Sequence, residues 1–319
     1  MVNQFFKNKL EFKVTGAYGQ PKEVQLRNFA DELNRRSEKE WANPKDWIQA
    51  FNYLRNYIEE LSDDEKHVFF IDEMPWLDTH KSGFLPAFEY FWNDYGSSKD
   101  NLVFIICGSA TSWMVDNLAN NKGGLFNRQT CRLYLEPFTL AQTREYLLAQ
   151  GMSWSEYDIA ECYMIMGGIP YYWSFLRKND SLAKNIDRLF FYENATFKNE
   201  FHALYASIFK RPENYISIVQ ALGSKKYGMK RDEILKTAKL SNNAVFKRTL
   251  LELEQSGFIR SYKSFGKRKN DTIYQLIDNF TLFYLQFMQE NKGHEINFWS
   301  YNIDSPTYYN WAGLAFERL

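Results

Sequence analysis

The sharpest pattern in the chain is an apolar run that ends in two acids, His67-Val68-Phe69-Phe70-Ile71-Asp72-Glu73. A run this short, continuous and rich in aromatic and β-branched residues predicts a strand buried on both faces, as in the middle of a parallel sheet. A second run, Leu102-Val103-Phe104-Ile105-Ile106-Cys107, leads into the small and hydroxyl residues Gly108-Ser109-Ala110-Thr111-Ser112. Shorter strand patterns lie at Leu10 to Val14 and Arg132 to Leu135. Helical periodicity separates them. Residues 24–36 put Leu26, Phe29, Ala30 and Leu33 on one face. A helix from Asn43-Pro44 to about Leu61 carries Trp47, Phe51, Leu54 and Ile58, and a third covers 82–95. Met74 to Asp78 reads as a loop. Strands alternating with helices predict a parallel sheet with crossover helices.

From Pro137 the pattern turns helical. Residues 139–150, 155–166, 171–177 and 182–208 read as helices, interrupted by Gly167-Gly168-Ile169-Pro170. Residues 212–287 then read as helices near 214–222, 230–238 and 243–255. A hairpin follows, formed by Phe258–Phe265 and Thr272–Ile277. Three helices and a hairpin match a winged helix-turn-helix. The expected organisation is an α/β core over 1–137, a helical lid over 138–210, a winged helix over 211–287 and the start of a further domain over 288–319.

Composition narrows the function classes. The 319 residues carry 39 Lys and Arg against 39 Asp and Glu, so the whole molecule has no polyelectrolyte character. Residues 223–270 depart from that balance, with 13 basic residues against 4 acids. Lys247 and Arg248 on the predicted second helix of the motif, and Lys267, Arg268 and Lys269 at the hairpin tip, form a candidate phosphate-contacting face for duplex DNA. Glu252 and Glu254 on the same helix oppose that assignment. The three cysteines, Cys107, Cys131 and Cys162, are odd in number and widely spaced. They fit neither a disulfide framework nor a zinc site and suit a reducing cytoplasm. Cys107 and Cys131 read as core residues. No apolar run reaches the ~20 residues of a membrane span, and the N-terminus has no signal-peptide core.

The candidate chemistry lies at Asp72 and Glu73. Burying two acids has no packing rationale, because desolvating charge is costly. Open α/β sheets bind ligands at the carboxyl ends of their strands. An Asp there holds Mg²⁺ directly or through water, and an adjacent acid orients the attacking water in nucleotide hydrolysis. The strand tip after Cys107 would put Ser109 or Thr111 near a phosphate.

Several stretches together resemble the prokaryotic P-loop ATPases of the AAA+/STAND type, which carry a winged helix and a restriction-nuclease-like C-terminal domain. They are Phe69 to Trp76, Cys107 to Met114, Asn121 to Arg128, Tyr134 to Phe138, Gly167 to Tyr172, Leu253 to Ile259 and Gly313 to Glu317. The resemblance spans essentially the whole chain. It implies ATP and Mg²⁺ as ligands, with Asp72 on Mg²⁺, Glu73 polarising the attacking water and Ser109 as the sensor on the second strand. Arg128 would be an arginine finger, and Gly168 and Pro170 would lie in the lid motif that touches the nucleotide. A protein partner or a homo-oligomer would fit such a switch.

One departure is large. A phosphate cradle reads Gly-x-x-x-x-Gly-Lys-Ser/Thr, because backbone N–H groups and the lysine must hold the phosphates. Nothing here matches; Gly223 to Lys230 comes nearest and has Met229 after its second glycine. The expectation is therefore a P-loop core without its first strand and cradle, in a chain that reads as a fragment at both ends. Three functions compete: an ATP-driven switch, a winged-helix DNA-binding module, and a non-catalytic scaffold without a cradle.

Overall fold

The computed structural model describes residues 2–109, 111–120, 123–209, 211–263, 272–289, 291 and 297–319. The chain forms two compact units, Met1–Arg132 and Leu133–Leu319.

In the first unit, α1 (Val2–Phe6) precedes β1 (Leu10–Thr15), α2 (Lys22–Arg36), α3 (Trp47–Ile58), β2 (His67–Asp72), α4 (Met74–Leu77), α5 (Phe84–Asp94), β3 (Leu102–Ile106) and α6 (Thr111–Met114). The three strands are parallel in the order β1-β2-β3, so β2 is central. Its alternate residues feed two cores. Phe69 and Ile71 join Phe12, Val14 and the apolar faces of α2, α3 and α5. Val68 and Phe70 join Leu10 on the other face, with Val2 and Phe6 of α1 against them. Phe69 is fully buried, and its ring stacks on Phe104 at 5.1 Å. Each such ring contributes about 1.5–3 kcal/mol by leaving water. This two-sided burial is why four apolar residues, Val68 to Ile71, follow one another without alternation.

The second unit contains α7 (Leu140–Ala149), α8 (Glu156–Met166), α9 (Pro170–Trp173), α10 (Leu182–Ile186), α11 (Glu200–Ile208), α12 (Glu213–Gly223), β4 (Met229–Lys230), α13 (Arg231–Ala238), α14 (Ala244–Gln255), β5 (Ile259–Lys263), β6 (Thr272–Leu276), α15 (Asn279–Phe283), α16 (Phe298–Asn302) and α17 (Pro306–Phe316). Thr139 with Gln142 and Ser155 with Asp158 form capping boxes that start α7 and α8. An antiparallel sheet in the order β4-β6-β5 packs with α12, α13 and α14. One core, centred on Phe190, Phe197, Phe280, Phe283 and Trp299, runs through this unit. Asp187 is fully buried and accepts from the backbone N–H groups of Trp299 (2.6 Å) and Ser300 (3.1 Å), which starts α16. Among the described residues no helix is long and apolar enough to cross a membrane.

Several local expectations change. Arg132 to Leu135 is not a strand. It has no neighbour to pair with among the described strands, and Leu133 and Leu135 stay 78% and 75% exposed. Cys131 is exposed rather than core. Asp46, not Asn43, caps α3, accepting from the Gln49 N–H at 2.8 Å. Met74–Leu77 is a helical turn instead of a loop, because Pro75 suits a helix start. The predicted helix 182–208 breaks between Tyr192 and Asn199, where Phe197 turns into the core.

Candidate functional site

Pairing puts three strand tips side by side. Thr15 of β1 lies opposite Asp72 of β2, and Ile71 lies opposite Ile106 of β3. The ladder continues past the strands: Gly16 N–H donates to Asp72 O at 2.8 Å, Cys107 N–H to Ile71 O at 3.0 Å and Met74 N–H to Cys107 O at 3.0 Å. The acid pair is thus gripped by backbone from both sides.

The two acids then diverge. Asp72 keeps strand geometry. Its Oδ1 accepts the Cys107 thiol at 2.9 Å, and its Oδ2 lies 3.8 Å from Lys13 Nζ. Burial, reinforced by that bond to Asp72, pushes the Cys107 thiol up to about 12, so it donates as a neutral S–H. Glu73 leaves the strand with φ 49° and ψ 47°. This left-handed conformation costs a non-glycine residue on the order of 1 kcal/mol. It turns the side chain toward the tip of β3, where Oε2 accepts from Ser109 N–H (3.1 Å) and Ser109 Oγ (2.9 Å).

Two glycines make room for this turn. A Cβ on Gly16 would lie 2.3 Å from Glu73 O, and one on Gly108 would lie 2.5 Å from Pro75 Cδ. Around them, buried Gln25 accepts from Ala17 N–H and donates to the Ala17 and Trp76 carbonyls. Trp113 Nε1 donates to Asp78 at 3.2 Å. The tip is a braced platform, with Asp72 and Glu73 both partly open to solvent.

The structure therefore brings Asp72, Glu73 and Ser109 together. Arg128 is exposed in a turn of the same unit, and Asn93 near the end of α5 holds that loop by donating to Gly124 O at 2.8 Å. Gly168 and Pro170 belong to the second unit. Gly168 O accepts from Phe138 N–H at 2.7 Å, and a Cβ on Gly168 would lie 1.9 Å from Phe138 O. Pro170 opens α9. Lys247 and Arg248 are exposed on α14. Glu252, which opposed a role in DNA contact, is buried and accepts from Arg248 Nε at 2.8 Å and from Tyr215 Oη. Glu254 accepts from Ser261 N–H at 3.1 Å. Lys267, Arg268 and Lys269 lie outside the described residues.

Lys13 and Cys107 had no functional signal in the sequence. Both become visible once register is known, since each stands within two residues of the position paired with Asp72 or Ile71.

No protein-family model matches this chain, and no curated protein matches it in sequence. Among solved structures, the Walker-type ATPase PABY2304 of Pyrococcus abyssi superposes with a TM-score of 0.61 at 16% identity, over 89% of this chain and 86% of that one. The chain shares the fold of that protein. Cdc6p from Pyrobaculum aerophilum overlaps more loosely, with a TM-score of 0.37 at 14% identity, over 89% of this chain and 81% of that one.

An acidic strand tip with an adjacent acid and a hydroxyl suits a hydrated divalent cation and a water. The 319 residues contain no glycine-rich loop with its lysine to hold the phosphates. Among the described residues no cluster of three metal-ligating side chains forms.

Proposed function

We propose that this chain carries the metal- and water-handling half of an ATP-dependent switch of the AAA+/STAND type. The observation behind this reading is the pair Asp72–Glu73 at the carboxyl end of the central parallel strand, with Ser109 of the neighbouring tip donating twice to Glu73. In this reading Asp72 holds the water shell of Mg²⁺, which when bound neutralises phosphate charge. Cys107 and Lys13 fix the direction of the Asp72 carboxylate. Ser109 holds Glu73 toward β3 and releases it to orient a water. Arg128 serves as a finger reaching a neighbouring molecule, and Gly168 and Pro170 belong to a lid over residues 138–210. Three free thiols suit a reducing cytoplasm.

Titration with Mg-ATP tests the half-site directly. The expected result is affinity in the millimolar range or weaker, lowered further by Asp72→Asn, with no turnover. Micromolar affinity would mean that these residues do contain a phosphate cradle, and would contradict the reading.

A second reading has its own support. The winged-helix reading of residues 211–287 is supported by α12, α13 and α14 packing with an antiparallel sheet, and by the internal engagement of the acids on α14. Lys247 and Arg248 then face duplex DNA, aided by Lys267, Arg268 and Lys269. Duplex affinity that falls steeply with salt, with a slope flattened by Lys247→Ala, is the expected outcome. A salt-independent affinity would contradict it.

A further inference from the structure

Among the described residues, the small sheet of the second unit has one face on helices and the other partly exposed. Ile259 is buried, and Ser261 bonds Glu254 of α14, so these alternate positions of β5 face the helices. Arg260 and Tyr262 must then point the other way. Their register partners on β6, Gln275 and Ile273, share that outer face.

A network of hydrogen bonds shapes this face. Arg260 Nε donates to Gln275 Oε1 at 2.9 Å, and Gln275 Nε2 donates to Lys226 O at 2.9 Å. Tyr262 Oη donates to Tyr227 O at 2.7 Å. The loop before β4 is thereby laid against the sheet. Gly228, at φ +80°, permits this, since a Cβ there would lie 2.3 Å from Tyr274 O. Two rings are left presented. Tyr227 is 72% exposed and Tyr262 37% exposed. Each has a cation over it, Lys226 Nζ 6.0 Å from the Tyr227 centroid and Arg260 6.0 Å from that of Tyr262.

Basic residues outnumber acids in the segment that carries this face, 13 against 4 over residues 223–270. Half-buried Arg318 is held below the usual arginine range, first by burial and then by the nearby charge of Arg260, with Glu317 acting in the opposite direction. Three of the four acids in residues 223–270 are engaged: Glu233 by Lys225 and the Lys230 N–H, Glu252 by Tyr215 and Arg248, and Glu254 by Ser261; the fourth, Asp232, lies in the first turn of α13. Two exposed aromatic rings, each with a cation beside it, are the elements of a platform for unpaired bases and their phosphates. Paired bases keep their faces inside the duplex, so exposed rings would add nothing to duplex binding.

We propose that the outer face of β5 and β6, with Tyr227, Tyr262, Arg260 and Lys226, binds single-stranded nucleic acid. This surface is distinct from α14 and rests neither on the nucleotide reading nor on the duplex one. The test is fluorescence anisotropy of a labelled oligothymidylate and of a duplex of equal length, with the full chain. The expected result is single-strand affinity at least about tenfold above duplex affinity, with a drop of about fivefold or more for Tyr227→Ala and little loss for Tyr227→Phe or Lys247→Ala. Tyr227 is exposed, so its truncation should leave the melting temperature unchanged. Duplex affinity equal to or above single-strand affinity, or Tyr227→Ala binding as wild type, would overturn the proposal.

Discussion

The two sheets of this protein each have three strands, yet they put their chemistry in different places. The central strand of the parallel sheet is covered on both faces, and the polar groups of the candidate site lie at the strand tips, where Asp72, Glu73 and Ser109 meet. Among the described residues, helices cover one face of the antiparallel sheet, and Arg260, Tyr262 and Gln275 line the other along the length of the strands. The topology of a sheet therefore says where to look for its site: at the ends when both faces are buried, and across a face when one is open.

The sharpest way to break this contrast is to truncate one residue from each sheet. Phe69→Ala removes a fully buried ring that touches Phe12 and Phe104, and should cost about 3–5 kcal/mol in the first unit. Tyr262→Ala on the open face should cost less than about 1 kcal/mol in the second. Hydrogen exchange, read separately for the two units, checks both values. Similar losses would show that the faces are not covered as unequally as described.

A smaller effect should appear on replacing the glycine that brackets Glu73. Gly16→Ala drives a Cβ into Glu73 O, so the β2 tip must shift. The expected loss is about 1–3 kcal/mol, confined to the first unit. A variant as stable as wild type, with the Ser109 to Glu73 bonds retained, would show that the tip is not braced.

Much of this arrangement was legible in the amino-acid sequence, and the losses have physical causes. An unalternated apolar run ending in acids can hardly be anything but a central strand. The same logic failed at Arg132 to Leu135, because a strand needs a neighbour as well as a pattern. The Cys107 contact with Asp72 spans 35 positions and depends on register, which periodicity does not encode. Lysines and arginines of the second sheet were easy to count. The placing of Tyr227 was not, since it follows from the turn at Gly228 and a hydrogen bond from Tyr262.

Acidity should separate the units more gently. His67 is buried with Nδ1 3.1 Å from Glu11 and Nε2 2.7 Å from Ser62 O, two acceptors that only an imidazolium satisfies together. Burial pulls its pKa down, but the bonds to Ser62 and Glu11 outweigh this and the net direction is up from 6.5. The stability it contributes to the first unit is complete below about pH 6.5 and is lost as pH rises through the raised value. In the second unit, burial raises Glu161 above 4.5. Its contribution is complete below about pH 4.5 and is lost on raising pH through its folded value, so Glu161→Gln should raise the melting temperature at pH 7. Melting curves from pH 4 to 9 check both. A second unit that gains stability between pH 5 and 7, or a Glu161→Gln variant that melts lower at pH 7, would contradict the assignment.

The most direct test of the acid pair uses manganese(II) as a paramagnetic stand-in for magnesium. Nuclear magnetic resonance should show broadening of the backbone amide signals of Gly16, Cys107 and Ser109 on titration, and Asp72→Asn should abolish it. Manganese that leaves those three amides sharp while broadening others would place the metal elsewhere and contradict the account.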